Sequence, residues 1–118
     1  MKIELELDAK PQTRPRFNRK NGVAYEDAAS KSYKSAVGYL AKKAMAGKPP
    51  IENPCRVMLK FYRRYKVNSR RFGDCDNLAK SVLDACNGIL WLDDSQIISL
   101  TAEKYQSAAA RIEIEVVE

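Results

Sequence analysis

Acidic residues concentrate in one short part of this 118-residue sequence, at spacings suited to binding a cation. Asp74 and Asp76 lie two residues apart at the start of a segment with helical periodicity, and Asp93 and Asp94 follow that segment. Carboxylate oxygens are ligands that Mg²⁺ prefers. Four carboxylates brought together would repel one another severely without a cation. If the loop after the helix folds back, the pattern predicts metal-assisted hydrolysis of a phosphodiester.

Lys80 lies one helical turn beyond Asp76, on the side away from the apolar stripe of the predicted helix. A lysine placed there could bind a scissile phosphate or help to protonate a leaving group. A purely structural interpretation is also open. In it, Asp76 caps the helix and Asp84 pairs with Lys80 at i,i+4. The Asp93–Asp94 pair then only makes a turn.

Two basic segments without acids, residues 10–20 and 56–71, flank the acidic one within a net charge of +6. This inversion of sign predicts a polyanion-binding surface around a hard-cation site. The alternative for each basic segment is a solvated face or a lysine-studded edge strand. The side chains predicted to hold a DNA backbone are Lys10, Arg14, Arg16, Arg19, Lys20, Arg63, Arg64, Lys66, Arg70 and Arg71.

Composition excludes several kinds of site. The chain contains no histidine, so a Ser-His-Asp or Cys-His nucleophile and a thiolate–imidazole zinc site are impossible. Its three cysteines, an odd number at scattered spacings, argue against a disulfide framework. The longest uncharged apolar run, residues 88–92, is too short to span a bilayer. The first residues show no apolar export signal, so a cytoplasmic location is expected.

The length of 118 residues predicts a single domain over residues 1–118, since single domains most often have about 100–150 residues. Alternation and helical spacing indicate a strand over 2–8, a basic loop or loose hairpin turning at residues 21–22, a helix over 27–46 capped by Asp27, a strand over 56–62, a helix over 77–88, and strands over 97–105 and 110–117. This order predicts a small two-layer α+β domain, with two main helices on one face of a mixed sheet of about four strands.

Residues 74–80 (DCDNLAK) and 91–97 (WLDDSQI) together resemble the RusA family of Holliday-junction resolvases, small endodeoxyribonucleases common in phages and prophages. The basic segment around Arg14 and Arg16 is a looser match. The resemblance implies that metal ligands correspond to Asp74, Asp76 and Asp94, with Asp93 beside them. It also implies that Lys80 corresponds to the essential lysine.

The same resemblance implies a crossover junction endodeoxyribonuclease of DNA recombination and repair. Such an enzyme is a homodimer that makes paired nicks in four-way junctions with Mg²⁺ or Mn²⁺. A dimer suits this substrate because two symmetric strands must be cut. Two other hypotheses stay open: a non-catalytic module for branched or single-stranded DNA, and a metal nuclease acting on flap or fork DNA.

Overall fold

A computed structural model of the protein describes residues 1–12 and 16–118, with the side chains of residues 16 and 17 outside that description. In chain order the elements are β1 (Lys2–Leu5), β2 (Arg16–Phe17), β3 (Ala24–Tyr25), α1 (Ala28–Met45), β4 (Cys55–Arg63), α2 (Cys75–Cys86), a short 3-10 helix (Asp94–Gln96), β5 (Ile97–Gln106) and β6 (Arg111–Val117). Four strands form a sheet in the order β1-β6-β4-β5, and β2 pairs with β3. The predicted α+β architecture is confirmed.

The sheet buries one face against the two helices. In β4 the side chains of Val57, Leu59 and Phe61 are buried and alternate with more exposed ones, while β6 contributes Ile112 and Ile114 to the same core. This alternation follows from the two-residue repeat of a strand. Both helices therefore lie on one side, as predicted. In the described part of the chain, no helix is long and apolar enough to cross a membrane.

The direction of α2 matters most for the site. β4 and β5 are parallel neighbours joined through α2, so this helix must run back along the sheet between them. Its beginning lies near the carboxyl ends of both strands, where Lys104 of β5 donates a hydrogen bond to the Gly73 carbonyl at 2.9 Å. The turn after its end instead pairs Trp91 with Ile51, just before β4.

Local boundaries differ from the prediction in a few places. β1 ends at Leu5 rather than residue 8, because the chain tightens there and the Leu7 amide donates to the Leu5 carbonyl at 2.9 Å. α2 begins at Cys75, two residues earlier than predicted. The predicted cap of α1 is confirmed, since the Asp27 carboxylate accepts from the Ser30 amide at 2.7 Å.

Candidate functional site

Asp74 occupies the N-cap position of α2, yet its side chain makes no capping hydrogen bond to the helix. Asp76 is not the cap that the purely structural interpretation made it, because the helix starts one residue before it. Asp76 lies in the first turn, where, among the described residues, its carboxylate accepts a hydrogen bond only from the adjacent Asn77 amide at 2.9 Å. Both aspartates are exposed. Their carboxylates are therefore available to a ligand at the positive end of the helix dipole.

The backbone leading into Asp74 depends on Gly73. This residue has φ of +95°, a conformation that side chains with a Cβ rarely adopt. A Cβ added there would lie 2.5 Å from Cγ of Pro11. Gly73 thus lets the chain turn sharply into α2 while the segment before the basic hairpin packs directly against it.

Lys80 follows Asp76 by four residues and is exposed, so the two lie at neighbouring positions on the helix surface. The Asp84–Lys80 pair of the purely structural interpretation does not form. Asp84 instead lies 3.5 Å from the ammonium of Lys34, which α1 contributes. Lys80 is exposed and makes no side-chain hydrogen bond or ion pair with another residue of the described ranges.

The second acidic pair is built by a compact turn. Trp91 is completely buried and donates from Nε1 to the Asn87 side chain at 2.8 Å. Asp93 caps the 3-10 helix. Its carboxylate accepts a hydrogen bond from the Ser95 amide at 3.0 Å, and its own amide donates to the Gln96 side chain. The hydrogen bonds from Ser95 hold the pKa of Asp93 below its ordinary value. Asp93 thus has the turn role, and the side chain of the next residue, Asp94, forms no hydrogen bond or ion pair within the described part of the chain.

The two acidic pairs do not meet within one chain. They lie at opposite ends of α2, whose 12 residues make it roughly 18 Å long. Cys75 at its start contacts the Ala102 carbonyl in the middle of β5 (3.6 Å), whereas Asp94 precedes the first residue of that strand. Among the described residues, no group of three or more acidic or cysteine side chains is placed to hold a metal ion. The loop after α2 therefore does not fold back onto Asp74 and Asp76 within one chain, so the condition under which the four carboxylates would meet is not fulfilled there.

The pair at the start of α2 nevertheless fits a magnesium ion. Mg²⁺ commonly binds proteins through only one or two carboxylates, with waters and substrate phosphates completing its octahedron. Asp74 and Asp76 supply hard oxygen donors that are exposed and weakly engaged. The donor chemistry is therefore right for a hard cation, while the number of protein ligands from one chain is small.

The first basic segment, residues 10–20, contacts the first turns of α2 through Gln12. The Gln12 amide donates to the Asn77 carbonyl at 3.0 Å, and its side chain accepts from the Ser81 hydroxyl at 2.9 Å. These bonds tie residues 11–12 to the first turns of α2. Beyond them β2 and β3 form the predicted loose hairpin, which carries the exposed side chains of Arg19 and Lys20.

The remaining basic residues of this segment are Lys10, Arg14 and Arg16. Lys10 is half-buried, and its ammonium lies 3.9 Å from the carboxylate of Asp27. Arg14 and the side chain of Arg16 lie outside the described residues, so their predicted DNA contacts stay predictions.

Arg63 does not belong with the DNA-binding residues. It is only 7% exposed, and its guanidinium donates to the Asp8 carboxylate at 2.8 Å and to the Phe72 carbonyl at 2.6 Å. The signal was in the sequence, because the alternation that turns Val57, Leu59 and Phe61 inward also turns Arg63 inward. The remaining members of the second basic segment are exposed, namely Arg64, Lys66, Arg70 and Arg71.

The three cysteines differ enough in burial to test the placement of α2. Burial raises the pKa of Cys86 to about 12 and also raises the pKa of Cys55, whereas Cys75 is partly exposed between the two aspartates. Because the thiolate is the reactive form, we expect iodoacetamide at pH 8 to modify only Cys75 in the folded protein. Peptide mass mapping checks this, with a guanidinium-unfolded sample, in which all three react, as the control. Equal labelling of Cys86 and Cys75 in the folded state would contradict the placement of α2.

Comparison with known proteins identifies the family of this chain. The family model described as endodeoxyribonuclease RusA matches residues 6–117. A Bacillus subtilis (strain 168) protein, the uncharacterized protein YqaN, is 31% identical in an alignment covering 87% of this chain and 85% of that relative. The family-model match over residues 6–117 includes the basic hairpin, the start of α2 and the turn that carries Asp94. The chain therefore belongs to the RusA endodeoxyribonuclease family.

Proposed function

We propose that this protein is a magnesium-dependent endonuclease that resolves four-way DNA junctions by paired symmetric nicks, acting in recombination and repair. One observation carries the proposal. Asp74, Asp76 and Lys80 are exposed together at the start of α2. There Gln12, within the first basic segment, hydrogen-bonds to the first turns of the helix. Membership of the RusA family supports the same activity. A phage or prophage origin and a cytoplasmic location belong to this proposal.

The carboxylates of Asp74 and Asp76 would hold the metal ion, Mg²⁺ or alternatively Mn²⁺. When bound, such an ion activates water and stabilises negative charge on the scissile phosphate. Lys80 would contact that phosphate or assist the leaving oxygen. Asp93, through its cap on the 3-10 helix, would hold Asp94 in position.

The basic side chains would grip the DNA backbone without reading its sequence, since contacts to phosphates carry no direct sequence information. The proposed set consists of Lys10, Arg14, Arg16, Arg19, Lys20, Arg64, Lys66, Arg70 and Arg71. Arg63 is excluded from it because its guanidinium is buried and bound within the protein.

A homodimer would complete the site. β5 lies at the edge of the sheet, and Ile98 and Leu100 on it are 64% and 44% exposed, with Leu92 nearby in sequence at 52%. A long edge strand bearing apolar side chains is suited to pairing with another strand. Two-fold symmetry makes such a pairing of two β5 strands antiparallel. The start of one β5, with Asp94, would then approach the end of the other, with Asp74 and Asp76.

Cleavage of a labelled four-way junction tests the proposal, alongside a linear duplex, a flap and a fork of matched sequence. In Mg²⁺ we expect symmetric nicks on the junction, none in EDTA, and a loss of at least about a hundredfold for Asp76→Asn. The matched control is Asp84→Asn on the same helix, about two turns beyond Asp76, whose carboxylate pairs with Lys34 of α1.

The alternatives give distinct outcomes in the same assay. Junction binding without nicking under either metal would refute the nuclease proposal in favour of a binding module. Metal-dependent cutting of the flap or fork in preference to the junction would refute the junction as substrate while keeping the chemistry.

A further inference from the structure

Two cationic side chains hold the peptide carbonyls that immediately precede Asp74. Arg63 donates from Nη1 to the carbonyl of Arg71 at 3.1 Å and to that of Phe72 at 2.6 Å. Lys104 donates from Nζ to the carbonyl of Gly73 at 2.9 Å. Three consecutive carbonyls are thus bound by charged donors, whose hydrogen bonds are stronger than those of neutral donors.

Arg63 is itself rigidly held. It forms an ion pair with Asp8 at 2.8 Å, and its guanidinium lies 4.9 Å from the ring centre of Tyr65 and 5.8 Å from that of Phe72. A buried guanidinium must satisfy its donors, and here the carboxylate and the two carbonyls do so. Its position at the last residue of β4 anchors the loop to the sheet.

Lys104 holds the same loop from the neighbouring strand. Its position in β5 is opposite Phe61, and its ammonium lies 5.1 Å from the ring centre of Phe72. β4 and β5 are hydrogen-bonded along their whole length, so the two cations belong to one rigid sheet. The chain entering α2 is thereby fixed to the sheet at residues 71–73.

We propose that Arg63 and Lys104 are positioning residues that set the metal-binding geometry of Asp74 and Asp76. The Asp74 carboxylate has no hydrogen bond to the amides of α2, so its direction depends on the backbone conformation of the preceding loop. That conformation includes Gly73 at φ +95° and is the one the two cations hold. The inference rests on the proposed function, because it concerns the same metal site.

The direction of the change in metal affinity distinguishes a positioning role of Lys104 from a purely electrostatic one. An ammonium near a cation site repels the cation, so removing the charge of Lys104 would by Coulomb's law strengthen metal binding. A positioning role requires the opposite, because the loop loses a bond and the carboxylates lose their alignment. Outer partners that orient metal ligands typically change affinity by about 10–100-fold when they are removed.

Binding of Mn²⁺ to the full-length protein without DNA, followed by calorimetry, tests this. We expect Lys104→Met to bind Mn²⁺ at least about tenfold more weakly, and Lys104→Arg, which keeps a charged donor, to recover most of the affinity. The matched control is Lys60→Met, on the opposite face of the same sheet, with unchanged affinity. Measurement well below the unfolding temperature of each variant keeps lost stability out of the result.

Arg63→Lys serves as the second variant, since lysine keeps the charge but cannot bond Asp8 and both carbonyls together. Weaker Mn²⁺ binding by this variant and by Lys104→Met supports the inference. Unchanged or tighter binding by Lys104→Met, while the wild type binds well, overturns it and leaves the proposed nuclease intact. Failure of the wild type to bind Mn²⁺ would refute both, because no metal site would exist to be positioned.

Discussion

A mixture of Asp74→Asn and Asp94→Asn subunits should regain a nicking activity that neither variant has alone. In the proposed dimer each metal site takes Asp74 from one subunit and Asp94 from the other. Both homodimers are then defective at both sites. A mixed dimer places the two substitutions in the same site and leaves the second site with both native carboxylates. Random exchange of equal amounts should restore about a quarter of the wild-type sites.

The products distinguish this recovery from contamination or partial activity. A mixed dimer has one intact site, so it should nick one strand of a four-way junction and leave few paired nicks. The assay needs subunit exchange by mild denaturation and refolding, followed by gel analysis of a junction labelled on each strand. Mixing Asp74→Asn with Asp76→Asn is the control, because those two residues come from the same subunit and no dimer regains a complete site.

Failure of the Asp74→Asn and Asp94→Asn mixture to recover would contradict the shared site. It would mean that one chain supplies its own ligands, and the separation across α2 argues against that. The helix alone places its ends roughly 18 Å apart, far beyond the reach of two aspartates sharing one ion.

The fold was predictable because each element carries a strong periodic pattern. The alternation in residues 56–62 predicted β4, and the spacing of Tyr33, Val37 and Ala41 predicted α1, which Asp27 caps as expected. The order of the strands in the sheet was not predictable in the same way. It depends on β5 returning parallel to β4 after α2, a pairing between residues about 40 positions apart along the chain, which no local pattern specifies.

The site was predictable in its residue types and not in its assembly. Asp74, Asp76 and Lys80 lie together as spacing along one helix predicts, since their proximity is local. Asp94 was predicted to join them, although the helical segment between the two pairs was already long enough to separate them. Lys104 was missed because its role depends on contact with Gly73, 31 residues earlier.

Ile98→Lys should convert the proposed dimer to a monomer and remove junction cleavage with it. Ile98 is the most exposed apolar side chain of β5, at 64%. Burying a lysine there without a partner would cost several kcal/mol, and two-fold symmetry places two such lysines in one interface. The dissociation constant should therefore rise by at least about a hundredfold. Sedimentation velocity at several protein concentrations measures it.

Tyr39→Lys is the matched control, since Tyr39 is 68% exposed on α1, away from the edge of the sheet. It should leave both the sedimentation coefficient and the cleavage rate unchanged. Circular dichroism establishes that both variants fold. Ile98→Lys that stays dimeric and active would show that the subunits meet elsewhere. A monomeric Ile98→Lys variant that still makes nicks would contradict the shared site, because Asp74 and Asp76 would then act without the Asp94 of a second subunit.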